Sequence, residues 1–173
     1  MGIVYRLQQF LQLITAQPLP ACAWRNVESI LTPSELELFR RHAPADQKHS
    51  YRVLRALQAA GEGDPHLLAA SLLHDIGKTQ VRPTLWDRVA GAVGERLFPA
   101  LARNWGVAEY SRWRRPFIIR RQHAVWGAEM ARQAGSHPST LLLIRRHQDP
   151  AQSIADQHLR DLLQRLQAAD SRN

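Results

Sequence analysis

A histidine and an aspartate stand side by side at His74-Asp75, after the apolar run Leu67-Leu68-Ala69-Ala70-Ser71-Leu72-Leu73 and before Ile76-Gly77-Lys78. A neutral nitrogen ligand next to an anionic oxygen ligand suits a borderline or hard divalent cation. Adjacent helical residues point about 100° apart, so the two rarely share an ion in mid-helix. At a helix end, with Gly77 loosening the exit, both can turn toward one point. The chain has 8 histidines, so a lone His-Asp pair is unremarkable. Its meaning depends on what accompanies it.

Four more residues of ligand type follow one another along the chain. His49 lies in Lys48-His49-Ser50-Tyr51-Arg52-Val53, ahead of the pair, and His123 lies in Gln122-His123-Ala124-Val125-Trp126-Gly127-Ala128-Glu129. His147 closes Ile144-Arg145-Arg146-His147, and Asp170 closes Ala168-Ala169-Asp170. In this order the set resembles the HD superfamily of metal-dependent phosphohydrolases, and more closely its HDIG-type members. The family pattern is a first His, then His-Asp, then a late Asp, with two further His between in members that hold two metals. The His123 segment is similar to the His-x-x-x-Gly-Ala-Glu element of that two-metal branch. The resemblance covers about positions 44 to 170.

The resemblance implies an all-α, multi-helix bundle with a metal site between helices, where four helices deliver ligands to a shared interior point. His49, His74, Asp75 and Asp170 would form a first metal site. His123 and His147 would hold a second ion, with Asp75 bridging the two. Mixed nitrogen and oxygen ligation fits one or two divalent ions of Fe, Mn, Co, Ni or Zn. Two such ions can lower the pKa of a water and clamp a phosphoryl oxygen during in-line attack on phosphorus. Lys78 is expected to assist catalysis together with Asp75, as the matching lysine does in the HDIG branch. Arg52 and Arg121, near ligands in sequence, are candidates for steering substrate.

Taken singly, each residue has a plainer reading. His74 alone reads as a surface histidine at a helix end, and Asp75 as a turn residue. His147 after two arginines reads equally as part of a solvated basic face, and Asp170 lies where chain ends fray. His42, His66, His137 and His158 fit no element of the pattern and are expected at the surface. Two departures from the family stand out. No Gly-Tyr-Pro element follows His147, which removes the warrant for a cyclic dinucleotide substrate. Many relatives also carry a second His beside the one matching His147, where this chain has Gln148.

Composition sets the wider bounds. The chain has 173 residues, 45% of them hydrophobic, which suits one domain with a real core. A single cysteine, Cys22, excludes an internal disulfide framework and agrees with a reducing compartment. No apolar run approaches a membrane span, and the start lacks the pattern of a signal peptide, so a cytoplasmic protein is expected. Net charge is +8. The excess is local: residues 101–173 carry twelve Lys+Arg against six Asp+Glu. The cluster Arg112, Arg114, Arg115, Arg120 and Arg121, with Arg145 and Arg146, favours an anionic partner. A small phosphorylated substrate is the expected one; nucleic acid is possible but not favoured.

The helices that must position these groups are legible from apolar spacing and punctuation. Residues 2–16 read as an amphipathic helix ended by Pro18 and Pro20. Thr32-Pro33-Ser34-Glu35 has the form of a capping box, starting a helix that runs to about Arg41. Further helices are expected over 45–60 up to Gly61, from Asp64-Pro65 to near Asp75, over 84–104 with a break at Pro99, and over 115–134 up to Gly135. One carrying His147 follows and is closed by Pro150; the last covers 153–170. The 105–115 stretch reads as a mobile loop. Residues 1–43 would form an N-terminal helical extension packed on a domain spanning 44–173. The function expected is phosphate ester or anhydride hydrolysis, a nucleotide being one candidate substrate. The alternatives are a non-catalytic regulatory or scaffold module that binds metal or nucleotide, and an arginine-rich nucleic-acid-binding protein.

Overall fold

A computed structural model describes residues 18–81 and 114–173, with the isolated positions 84, 87 and 93 between. The expected helix over 2–16, the body of the one over 84–104 and nearly all of the 105–115 loop lie outside the described residues. Among the described residues there are seven α-helices, two short 3₁₀ turns and no strand. The helices are α1 (Ala21–Glu28), α2 (Pro33–Arg40), α3 (Pro44–Ala59), α4 (Pro65–Leu73), α5 (Arg115–Gln133), α6 (Pro138–Arg146) and α7 (Gln157–Ser171). The 3₁₀ turns are Ile76–Gln80 and Ala151–Ser153. The all-α bundle expected from the sequence is the observed architecture.

Helix α4 is central because its last seven residues are withdrawn from water. Leu67 through Leu73 are all buried, so the helix has no solvent face and must be surrounded. Asp64 starts it, its Oδ1 accepting from the amides of His66 at 2.9 Å and Leu67 at 2.8 Å, with Pro65 in the first turn. Helices α3, α6 and α7 pack around it, and one apolar cluster joins Val53, Leu54, Leu73, Ile144, Leu163 and Leu166. Ala23, Val27, Leu38 and Phe39 from α1 and α2 belong to the same cluster, so side chains on both sides of residue 43 share one core.

Local chemistry starts and stops the helices as the sequence suggests. Thr32 and Glu35 form the full capping box at the head of α2. Gly61 and Gly135, at φ +82° and +81°, end α3 and α5 in the left-handed region that glycine alone enters freely. The end of α4 is tighter than expected: the chain leaves Leu73 through His74 and Asp75 straight into the 3₁₀ turn. The last helix starts later, at Gln157, because Asp156 caps it through the amide of Leu159 at 2.8 Å and the residues before it form a 3₁₀ turn.

His42 is a correction. Rather than lying at the surface, it is 4% exposed and packs edge-on against Phe39 at 5.6 Å between ring centroids. Neither ring nitrogen has a protein hydrogen-bond partner. His66 is half-buried and stacks on the exposed His137 at 3.8 Å, while His158 is exposed.

Candidate metal centre

Five helices, rather than the four expected, send side chains to one interior point. His49 comes from the middle of α3, His74 and Asp75 from the exit of α4, His123 from the middle of α5, His147 from the end of α6, and Asp170 from the last turn of α7.

The six residues form two groups. In one, the Asp170 Oδ1 lies 2.9 Å from the Nε2 of His49 and 3.6 Å from that of His74. In the other, the Nε2 atoms of His123 and His147 are 3.2 Å apart, with the Oδ1 of Asp75 at 3.3 Å and 3.9 Å from them. Within each group the ligand atoms lie within 4.8 Å of one another. Asp75 spans both. Its Oδ1 faces His123 and His147, while its Oδ2 is 3.9 Å from the His49 Nε2 and 3.6 Å from the His74 Nε2.

Hydrogen bonds inside the helices fix which nitrogen faces inward. The Nδ1 of His74 lies 3.0 Å from the carbonyl of Ser71, that of His123 3.0 Å from Ile119 O, and that of His147 2.7 Å from Ile144 O. A carbonyl can only accept, so each Nδ1 carries the hydrogen and each neutral ring turns a bare Nε2 lone pair into the site. This is the outer-shell pattern that orients metal-ligating histidines. Buried lone pairs and carboxylate oxygens converging in this way repel one another unless a cation lies among them. The Nε2 of His74 is buried with no hydrogen-bond partner at all. The donor set therefore fits divalent cations.

Electrostatics agree for the two acids and for His147, and run the other way at His74. Burial alone would raise the carboxyls of Asp75 and Asp170. Instead, the Lys78 ammonium and the histidines hold Asp75 well below the usual carboxylate range. The His49 ring at 2.9 Å and the His74 ring at 3.6 Å hold Asp170 down. Both acids stay ionised. Burial pushes His147 down to about 3, aided by His74, so it stays neutral and able to ligate. His74 is pulled down by burial, but the charges of Asp75 and Asp170 outweigh this and its pKa is raised.

The remaining expected residues are more scattered. The Lys78 ammonium pairs with the Oδ2 of Asp75, on the side facing the first group. Arg52 is exposed one turn after His49, with its guanidinium 3.4 Å from the carbonyl of Asn173. Arg121 is exposed on α5, and a two-residue step from His123 is a rotation of roughly 200°, so the two face apart. Two further residues lie at the site: Gln148, which stands where many relatives carry a second His, and Gln167, which had no part in the expectation. The Gln148 amide nitrogen is 3.3 Å from the His123 Nε2. Gln167, one turn before Asp170 on α7, donates to the carbonyls of His147 at 3.0 Å and Asp149 at 2.7 Å. Adjacency to His147 and i,i+3 spacing to Asp170 were the available signals.

No described helix is long and apolar enough to cross a membrane. No significant match to the chain is found among curated proteins or among solved structures. The model of one family, the HD domain, matches residues 47–172. That span contains all six converging ligands and the greater part of the chain, which makes the protein a member of the HD domain family.

Proposed function

We propose that the protein is a cytoplasmic metal-dependent phosphohydrolase of the HDIG type, with two metal sites, that cleaves a phosphate ester or anhydride of a small molecule. The observation that carries this reading is the division of Asp75 between two ligand groups, one oxygen toward each. His49, His74 and Asp170 would hold one cation with the Oδ2 of Asp75, and His123 and His147 another with its Oδ1. Bound divalent cations of Fe, Mn, Co, Ni or Zn would supply Lewis-acid charge that activates a water and offsets charge on a phosphoryl oxygen.

The chain's own residues do the rest. The five helices hold these side chains on rigid elements, which favours catalytic geometry over loop-borne sites. Lys78, beside Asp75, offers a compact positive charge to a phosphoryl oxygen. Arg52, exposed one turn from His49, can meet the remainder of an anionic substrate at the mouth. The absence of Gly-Tyr-Pro argues against cyclic dinucleotides, so mononucleotides and simple phosphate monoesters are the first substrates to test.

The decisive experiment is elemental analysis of anaerobically prepared protein, then a phosphate-release screen with added Mn and Co. Wild type should retain a transition metal and release phosphate from at least one substrate. Asp75→Ala should lose both. Unchanged metal content and turnover in that variant would reject the site.

A further inference from the structure

Gln148 is an exposed residue in the turn after α6, and its side-chain amide reaches the rim of the second ligand group. Its amide nitrogen lies 3.3 Å from the Nε2 of His123. His123 has its hydrogen on Nδ1, toward Ile119 O, so its Nε2 can only accept. This fixes the otherwise ambiguous amide: the NH₂ end, not the oxygen, faces the site.

The turn that carries Gln148 is held from three directions. Gln167 donates to the carbonyls on either side of it, those of His147 and Asp149. The Asp149 amide donates to Arg146 O at 2.8 Å, and the Asp149 carboxylate pairs with Arg146 at 2.8 Å. Gln167 stands on α7 three residues before Asp170, so the helix that delivers a ligand to one group also clamps the turn at the rim of the other. An exposed glutamine side chain is ordinarily free to wander. Here its base is fixed, and its donor end faces a cluster of His and Asp acceptors.

We propose that Gln148 is a substrate-binding residue whose amide N–H donates to a non-bridging oxygen of the phosphoryl group on the His123–His147 side, with Gln167 as the positioning residue that holds its turn. This rests on the phosphohydrolase reading above. Ligation of a metal through the amide oxygen is the competing role, and metal content in the Gln148 variant separates the two. A neutral donor suits this place, because it contacts the anion without adding a cation that would repel the metal.

The test uses full-length, metal-loaded protein and inorganic phosphate as probe, titrated calorimetrically with Mn present. Wild type should bind phosphate. Gln148→Ala should weaken that binding roughly tenfold or more, as loss of one hydrogen bond to an anion implies. Its metal content per chain and its Tm should remain unchanged. Gln167→Ala should shift phosphate binding the same way by a smaller factor. With the best substrate of the screen, KM of Gln148→Ala should rise more than kcat falls. Wild-type phosphate affinity in Gln148→Ala, or a loss of metal from it, overturns the assignment while leaving the hydrolase reading intact. Wild type that holds no metal and releases no phosphate overturns the hydrolase reading first, and this one with it.

Discussion

Gly77 lies directly against the backbone of His123. A Cβ on Gly77 would collide with the His123 carbonyl oxygen and stand 2.6 Å from the amide nitrogen of Gly127. The 3₁₀ turn after His74-Asp75 therefore packs backbone to backbone on α5, and this contact sets how close the first group of ligands comes to the second. Gly77→Ala must push the two elements apart. Overpacking of this kind costs about 1–3 kcal/mol. The expected result is a lower Tm together with loss of metal preferentially from the His123–His147 side, read by metal analysis against wild type. A variant with wild-type Tm and full metal content would show that the contact does not position the site.

The sequence and the fold agree where the signal is local and part where it is tertiary. The capping box at Thr32, the stops at Gly61 and Gly135 and the mostly apolar run of α4 depend on neighbours a few residues away, and all were legible. The six ligands were legible as an ordered set of types, although no spacing shows that they meet. Gly77 was read as a flexible exit, yet neither left-handed backbone nor flexibility is its role. Its φ is not in the left-handed region, and its partner on α5 is more than forty residues away. His42 fits no element of the ligand pattern and so reads as a surface residue; only the packing of Phe39 and the helices around it reveals the burial.

Glu35 joins two parts of the chain 101 residues apart. One carboxylate oxygen accepts from the amide and hydroxyl of Thr32 at 2.9 Å and 3.0 Å, and the other accepts from the Ser136 hydroxyl at 2.6 Å. Glu35 and Ser136 are buried, so removing the carboxylate leaves the Ser136 hydroxyl unpaired and Thr32 without its reciprocal cap. Glu35→Ala should cost about 2–3 kcal/mol in denaturant unfolding, combining a lost cap with a lost buried bond. Metal content at low temperature should stay at the wild-type level, since no ligand is touched. A loss under about 0.5 kcal/mol would mean that solvent replaces Glu35 at both ends.

His42 should make the fold acid-sensitive. Burial lowers its pKa from 6.5 to about 4, against the attraction of Asp46 and Asp75, with His74 and Lys78 opposing protonation. The unfolded chain takes up this proton as pH falls below 6.5, whereas the folded chain does so only near 4. The unfolded state thus binds more protons in that window, and stability falls with pH by about 1.4 kcal/mol per unit for this group. Across the whole window the contribution is roughly 3 kcal/mol, complete near pH 4. His42→Leu should flatten the pH dependence of unfolding between pH 6.5 and 4 by close to one proton. An unaltered slope would place the acid sensitivity elsewhere, His147 being the next group to test.

Lys78 offers a test in which two readouts move in opposite directions. Its ammonium pairs with the same Asp75 oxygen that faces His49 and His74, and it is the main influence lowering the Asp75 pKa. A cation at that oxygen competes with Lys78 for it, so neutralising the lysine should not weaken metal binding and should modestly strengthen it. On the hydrolase reading, turnover should fall, because the variant would lack a positive charge beside the phosphoryl group; about a hundredfold is the scale for one such group. Lys78→Met should therefore keep or tighten metal, measured by competition with a chelating dye, while kcat drops. Loss of metal from Lys78→Met would instead make the lysine a structural support for Asp75, and full activity would remove it from the chemistry altogether.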